Sequence, residues 1–183
     1  MEISTLISIF YSNYNGKIDY DGIYKINDLI KRDLIKIEQV EICDKGEYLN
    51  VIDKLNAGEV KIIDYQGGST GHSALKVIAE KYIKENFQQN VSVEQNYFGR
   101  IPDVLSADNQ IIFECGDTDP WKIIEYFRNN DNLQIFVLLY ISERQNFLRA
   151  YKFIKNVNDL KNILLDEHAE SLNIIKNIIK SRK

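Results

Sequence analysis

The stretch GRIPDVLSADNQIIFECGDTDPWK, residues 99–122, contains two short strand patterns followed by the start of a helix. RIPDVLSA and QIIFECG each predict a strand, and SADN between them predicts a turn, because Asp and Asn tolerate left-handed backbone. DPWK predicts a helix start, with Asp119 as the N-cap and Pro120 in the first helical position. Since paired strands lie about 4.8 Å apart, this arrangement brings Asp103 and Glu114 to one edge of a sheet.

The segments around this stretch predict an α/β domain. Ser73–Phe87 has the periodicity of an amphipathic helix, and VSVEQNYF, residues 91–98, alternates like a strand. LQIFVLLYI, residues 133–141, is a continuous apolar run typical of a strand buried on both faces. The predicted order is therefore α-β-β-β-α-β. NFLRAYKFIK, residues 146–155, predicts a further strand, and a helical segment with a basic end follows it.

The N-terminal third predicts helices followed by a hairpin. Helical spacing runs over Ile3–Tyr14 and again over IYKINDLIKRDLIKIE, residues 23–38. QVEICDKGEYLNVI, residues 39–52, alternates apolar side chains about a turn at Asp44–Glu47, which indicates a hairpin.

A glycine-rich segment, DYQGGSTGHS at residues 64–73, separates this third from the rest of the chain. We place the boundary near Gly67 and expect two units, residues 1–66 and residues 67–183. The acidic excess behind the net charge of −4 lies in the first unit. The overall charge therefore does not indicate a nucleic-acid-binding protein, although a local basic groove would still allow one.

Composition excludes several classes of protein. With 44% hydrophobic and 27% charged residues, the 183-residue chain is expected to fold rather than to be disordered. It has no run of about eighteen apolar residues, and its start lacks the basic region of a signal peptide. Cys43 and Cys115 are the only cysteines and show no metal-ligand spacing, so we expect neither a zinc site nor disulfides. That cysteine usage favours a cytoplasmic location.

Two carboxylates at one sheet edge suit a divalent cation. Glu114 follows the apolar run Ile111–Phe113, and a carboxylate at the end of a buried strand needs a partner or a metal. Pro102 forces an extended, irregular entry to Asp103. Mg²⁺ takes one or two carboxylates plus water and phosphate oxygens, and it lowers the pKa of bound water. Taken alone, the pair is weak evidence for a metal site, since most such pairs of acids are solvated strand ends.

The region from Gly68 to Ile141 resembles the PD-(D/E)xK superfamily of restriction-endonuclease-like nucleases, whose core is αβββαβ. Here the PD is Pro102-Asp103, and Glu114 is the acidic residue of the second motif. The resemblance implies a mixed central sheet flanked by helices and metal-dependent hydrolysis of phosphodiester bonds in DNA. It further implies that Asp103, Glu114 and the carbonyl of Cys115 hold Mg²⁺ or Mn²⁺.

The chain departs from the motif at Gly116, where the superfamily has a lysine. Without such a cation, hydrolysis would be slow or absent. Lys122, one turn into the following helix, is the first candidate to supply the charge, and Lys76 on the first core helix is the second. The resemblance also implies a metal-binding glutamate on that helix, for which Glu80 is the candidate. The i, i+4 spacing of Lys76, Glu80 and Lys84 equally predicts an exposed salt-bridged face.

Residues 1–66 resemble a winged helix-turn-helix module, although their acidic balance counts against DNA reading. His72 and Arg100 are phosphate contacts in one interpretation and a helix-start residue and an ion-pair partner in the other. The leading hypothesis is a DNA-cleaving enzyme. Its rival is a nuclease-fold DNA-binding or assembly protein without activity, which Gly116 favours, and a third is a transcriptional regulator. DNA is the expected partner, a membrane is not, and the apolar C-terminal helix is a candidate homodimer contact.

Overall fold

A six-stranded mixed sheet forms the centre of the protein, with the strands in the order β1-β6-β5-β4-β3-β2. The structure is a computed structural model that describes residues 2–11, 18–61, 68–130 and 132–181, with side chains up to residue 177. The helices are α1 (Ile3–Phe10), α2 (Tyr20–Lys31), α3 (Lys45–Asn56), α4 (Thr70–Phe87), α5 (Pro120–Asn129) and α6 (Leu160–Ser181). The strands are β1 (Ile35–Asp44), β2 (Val91–Val93), β3 (Val104–Ser106), β4 (Ile111–Cys115), β5 (Gln134–Leu138) and β6 (Phe147–Lys155).

Alternation along the strands divides the core into two layers, one on each face of the sheet. On β4, Ile112 packs in the layer that contains apolar residues of α1, α2, α5 and α6. Its neighbours Ile111 and Phe113 pack in the other layer, with α4 and Tyr48 of α3. Because successive side chains of a strand point to opposite faces, β4 supplies both layers at once. The strand is consequently buried along its whole length.

The only parallel pair in the described sheet is β4–β5, and α5 makes the connection between them. All other neighbouring strands pair antiparallel. Helix α5 begins as the sequence predicts, because the Asp119 side chain accepts a hydrogen bond from the Trp121 N–H at 2.9 Å and Pro120 occupies the first position. The connection thus returns the chain to the sheet beside the strand end that carries Glu114.

The predicted α/β class, the mixed sheet and the α-β-β-β-α-β order are confirmed, the last as α4, β2, β3, β4, α5 and β5. The predicted central strand is also confirmed, since β5 lies between β4 and β6 and is buried over most of its length. The strand predicted for residues 91–98 is shorter than expected. It ends at Val93 because Glu94 adopts a left-handed conformation, with φ of 50°.

The predicted N-terminal hairpin is wrong. Residues 39–44 belong to the long strand β1, which pairs antiparallel with β6, and residues 45–56 form helix α3. The DKGE segment starts this helix, because Asp44 caps it by accepting from the Glu47 N–H at 2.8 Å. Val51 then packs against the α4 layer at helical spacing from Tyr48. The resemblance to a winged helix loses the hairpin on which it depended.

The second predicted helix also ends earlier than its apolar spacing suggests. Helix α2 stops at Lys31, and Asp33 turns the chain with φ of 57° before Ile35 opens β1. The six-stranded sheet therefore contains β1 from residues 1–66 together with five strands from residues 67–183. The predicted boundary near Gly67, like the end of the first predicted helix, lies outside the described residues. Within the described ranges, no helix has the length and apolar character needed to cross a membrane.

Candidate catalytic and metal site

Asp103 lies immediately before β3 and opposite Glu114 of β4. The antiparallel register pairs Val104 with Phe113, so the next residue outward on each strand is one of the two acids. The Cys115 N–H donates to Asp103 Oδ2 at 2.7 Å. Because Cys115 directly follows Glu114, this bond fixes Asp103 against the end of β4. The predicted meeting of the two acids at one sheet edge is therefore present in the fold.

The other oxygen of Asp103 faces helix α4. His72 Nε2 lies 3.1 Å from Asp103 Oδ1, and Lys76 Nζ lies 3.7 Å from the same atom. The i, i+4 spacing places the two α4 side chains on one face of the helix. The helix start is fixed by Ser69, whose hydroxyl accepts from the His72 N–H at 3.2 Å. Capping of α4 thus sets the position of the imidazole at the site.

Lys76 and Glu94 form a buried ion pair beside Asp103. The Lys76 side chain is fully buried and only 2% of the Glu94 side chain is exposed. Lys76 Nζ donates to Glu94 Oε1, and the Glu94 N–H donates to the Asp103 carbonyl at 3.1 Å. A buried charge is tolerated when it is paired and hydrogen-bonded. The pair therefore supplies Asp103 with one cationic and one anionic neighbour.

His72, Glu94 and Asp103 can together hold a metal ion. One ligand atom from each residue lies within 4.8 Å of the other two. The side chains of His72 and Asp103 are partly exposed, at 19% and 16%, whereas the Glu94 side chain is buried, at 2%. This is the one such set of three His, Cys, Asp or Glu side chains found among the described residues. Carboxylate oxygens suit Mg²⁺ and Mn²⁺, whereas imidazole suits later transition metals. The donor set is therefore mixed.

Glu114 is directed to the opposite face of the sheet, toward α5. Lys122 Nζ donates to Glu114 Oε2 at 2.7 Å, and the Tyr126 hydroxyl donates to Glu114 Oε1. Glu114 is almost completely buried, and this burial raises the pKa of its carboxyl to about 7. Lys122 opposes the rise and the charge of Asp103 adds to it.

Gly116 cannot be replaced by lysine without strain. Its φ is 79°, a conformation that residues with a Cβ avoid. A Cβ on Gly116 would also lie 2.7 Å from ring atoms of Tyr140. The Gly116 N–H donates to the Leu138 carbonyl at 2.7 Å, which holds the backbone in place. The backbone and the neighbouring ring therefore disfavour a lysine at position 116.

The two lysines proposed to replace it both reach the site, from opposite faces of the sheet. Lys122 pairs with Glu114, and Lys76 lies near Asp103. Cys115 contributes its amide to Asp103, whereas its side chain packs in the core beside α4. Glu80 is not brought to these residues: its ion-pair partner among the described residues is Lys84, at 2.6 Å.

Arg100 does not contact Asp103 in the described pairs. It forms a bidentate ion pair with Glu125 of α5, in which Arg100 Nη2 lies 2.8 Å from Glu125 Oε1. Trp121 packs against the apolar layer that contains α5. Cys115, which flanks Glu114 in the sequence, contacts Asp103 directly through a hydrogen bond.

Sequence reasoning missed Glu94 and Tyr126. Tyr126 carries a detectable signal, since it lies four residues after Lys122 and so shares a helix face with it. Glu94 carries none, because its left-handed backbone redirects the chain at the end of β2. His72 was named, but its contact with Asp103 depends on how α4 crosses the sheet edge.

No protein-family model, curated protein or solved structure matches this chain.

Proposed function

We propose that the protein is a metal-dependent nuclease that hydrolyses phosphodiester bonds in DNA. The observation that carries the proposal is the position of Asp103, opposite Glu114 across β3 and β4 and 3.1 Å from His72 Nε2. At this end of the sheet, His72 and Lys76 lie beside Asp103 on the α4 face, and Lys122 pairs with Glu114 on the α5 face. Such a set of hard ligands and cations fits phosphoryl chemistry, in which charge develops on non-bridging oxygens.

Asp103 is the residue to which we assign the central role in cation binding. It belongs both to the predicted pair with Glu114 and to the set with His72 and Glu94. A bound Mg²⁺ or Mn²⁺ would lower the pKa of a water molecule and neutralise charge on the scissile phosphate. The Cys115 N–H holds one Asp103 oxygen at 2.7 Å, which fixes the carboxylate before any ligand arrives. His72 serves as a ligand only through an unprotonated nitrogen.

Lys122 supplies the positive charge that Gly116 cannot carry. Its ammonium donates to Glu114 Oε2 and lies 3.5 Å from the Ile101 carbonyl, so it is held at the strand ends by two acceptors. From there it orients Glu114 and faces an incoming phosphate as a fixed cation. The buried Tyr126 hydroxyl donates a hydrogen bond to the second oxygen of Glu114.

The second candidate function is a nuclease-fold DNA-binding or assembly protein that does not hydrolyse DNA. It is favoured by the saturation of Glu114, because both of its oxygens already accept hydrogen bonds from Lys122 and Tyr126. It is also favoured by the Lys76 ammonium, which already neutralises Glu94. In that case the site would bind nucleic acid without turning it over.

A cleavage assay with matched variants separates the two functions. Purified protein is incubated with labelled single- and double-stranded DNA in Mg²⁺ or Mn²⁺, and Asp103→Asn, Glu114→Gln and Lys122→Met are compared with the wild type. We expect Asp103→Asn to lose at least about 100-fold in rate, as removal of a charge-stabilising group typically does. Glu80→Gln is the control, since Glu80 pairs with Lys84 outside the site.

Two results would change the assignment. Cleavage that survives in Asp103→Asn would overturn the assignment of Asp103 to the catalytic site. DNA binding without any cleavage by the wild type would establish the second candidate function. Circular dichroism of each variant would verify that a lost activity is not a lost fold.

A further inference from the structure

Tyr140 is an exposed aromatic residue beside the site. The ring lies against Gly116, where a Cβ would be 2.7 Å away, and 3.7 Å from the position of a Cβ on Gly71. It therefore spans from the end of β4 to the first turn of α4, which carries His72. Both backbones that it approaches are glycine, and 43% of the residue remains exposed.

The cations around the site are already paired within the protein. Lys76 pairs with Glu94, Lys122 with Glu114, and Arg100 with Glu125. The affinity of proteins for duplex DNA comes mainly from lysine and arginine contacts to phosphates, which release counterions. Cations that are already neutralised by carboxylates contribute less to such binding, and the chain carries a net charge of −4. A second source of affinity is therefore needed.

The acids are also recessed. Only 16% of the Asp103 side chain and 2% of the Glu114 side chain are exposed, and His72 is exposed to 19%. A phosphodiester of a flexible single strand can enter such a site, whereas a duplex presents its phosphates on a wide, stiff cylinder. Single-stranded DNA also offers unpaired bases, each of which has a face that stacks on aromatic side chains whatever its sequence.

We infer that the site takes single-stranded DNA, with an unpaired base stacked on the ring of Tyr140 next to the phosphate that reaches Asp103. The inference rests on the proposed nuclease function and names its substrate class. Stacking does not depend on net charge, so it supplies affinity where the paired lysines do not. The ring lies close to the backbone at both glycines, and its exposed part is available to the DNA strand.

Binding of fluorescent oligonucleotides tests the inference. Anisotropy is measured with the full chain in Ca²⁺, which carboxylate oxygens also bind, using a single strand, the same sequence as a duplex, and a single strand with one central abasic position. We expect the intact single strand to bind more tightly than the duplex. Tyr140→Leu keeps an apolar side chain against Gly116 but removes the aromatic face, and we expect it to weaken single-strand binding by about tenfold.

Three controls make the result specific to stacking. Tyr140→Phe keeps the ring and should bind like the wild type. Tyr11→Ala removes an aromatic residue that is also exposed to 43%, beside α1 on the other face of the sheet, and should have no effect. The difference between wild type and Tyr140→Leu should shrink when the abasic position lies over the site.

The outcomes separate failure of the inference from failure of the proposed function. Equal binding of Tyr140→Leu and wild type to the single strand, or tighter binding of duplex, would overturn the inference while DNA cleavage still stands. If the wild type neither binds nor cleaves any of the DNAs, the proposed function itself is overturned. A Tyr140→Leu protein that melts at the wild-type temperature excludes unfolding as the cause of weaker binding.

Discussion

Lys122 Nζ lies 2.7 Å from Glu114 Oε2, although the two residues belong to different elements on either side of a tight turn. Helix α5 thus returns a positive charge to the strand end that Gly116 leaves without one. The turn between them contains Gly116, whose φ of 79° strains any residue with a Cβ, and a Cβ there would lie 2.7 Å from the ring of Tyr140. Gly116 forms the turn, and α5, which follows it, carries the positively charged Lys122.

The buried carboxyl of Glu114 makes stability depend on pH. In the folded protein its pKa is about 7, against an ordinary value of 4.5. Between these values the folded state holds a proton that the unfolded state has released, so raising the pH favours unfolding. This stabilising contribution is complete below about pH 4.5 and is lost as the pH rises through 7. We expect Glu114→Gln to gain about 2 to 3 kcal/mol over wild type between pH 5 and 8.

Urea denaturation at pH 5, 6, 7 and 8 measures that gain. Glu80→Gln is the matched control, because Glu80 lies on the outer part of α4 with Lys84, and its difference from wild type should not follow the same curve. A Glu114→Gln difference that stays constant over this pH range would contradict the assignment of the titration to Glu114.

Two glycines with left-handed backbone separate conformational strain from steric clash. Gly58 has φ of 72° and nothing within 4 Å of an added Cβ, whereas Gly116 has φ of 79° and the Tyr140 ring at 2.7 Å. We expect Gly58→Ala to cost about 1 kcal/mol from strain alone. Gly116→Ala should cost about 3 kcal/mol, since overpacking adds to the strain.

The double variant Gly116→Ala/Tyr140→Ala identifies the clash. It should recover part of the stability lost in Gly116→Ala, measured by the same denaturation. If Gly58→Ala and Gly116→Ala destabilise equally, the ring of Tyr140 does not restrict position 116, and the structural reason for the missing lysine is removed.

We expect the protein to lose stability when only one partner of the buried Lys76–Glu94 ion pair is removed. Lys76→Met leaves the carboxylate of Glu94 without its cation in a nearly closed environment, at a cost of about 3 kcal/mol or more in unfolding free energy. Lys76→Met/Glu94→Gln removes both charges and should restore most of that loss. A double variant no more stable than Lys76→Met would show that the pair is not the source of the effect.

The parts of the fold that follow from periodicity could be predicted from the sequence. Two strand patterns separated by a turn were enough to predict Asp103 opposite Glu114, because the hydrophobic pattern and the turn together set the register of a strand pair. The sequence alone did not predict the structure of the DKGE segment, since an Asp followed three residues later by Glu is both a turn signal and a helix cap. In the structure, the segment forms a helix because the apolar face of α3 packs against α4.

The cluster around Asp103 could be predicted only in part, for a different reason. Lys122 lies one turn into a helix whose start is marked by Asp119 and Pro120, so its position can be predicted from the local sequence. His72 and Glu94 come from a helix and a strand end that meet only in the folded sheet. The left-handed Glu94 follows no local pattern, and its side chain is directed toward Lys76 by tertiary packing. Sequence rules that work within one element do not describe such contacts.

Cation binding tests this cluster without reference to catalysis. Asp103 and Glu94 offer carboxylate oxygens, and His72 adds an imidazole, so we expect Mn²⁺ to bind more tightly than Mg²⁺ in calorimetric titrations at pH 8. His72→Ala should remove most of that preference, because the remaining donors are the oxygens that Mg²⁺ also accepts. Asp103→Asn should weaken both cations.

Glu94→Gln distinguishes this set from one built on Asp103 and Glu114. If Glu94 is a ligand, Glu94→Gln weakens Mn²⁺ binding, and Glu114→Gln has the smaller effect because both Glu114 oxygens already accept hydrogen bonds. If Glu114→Gln abolishes binding while Glu94→Gln leaves it unchanged, the cation sits on the α5 side of Asp103, and the set with His72 and Glu94 is not the metal site. Glu80→Gln should match wild type in either case, since Glu80 pairs with Lys84.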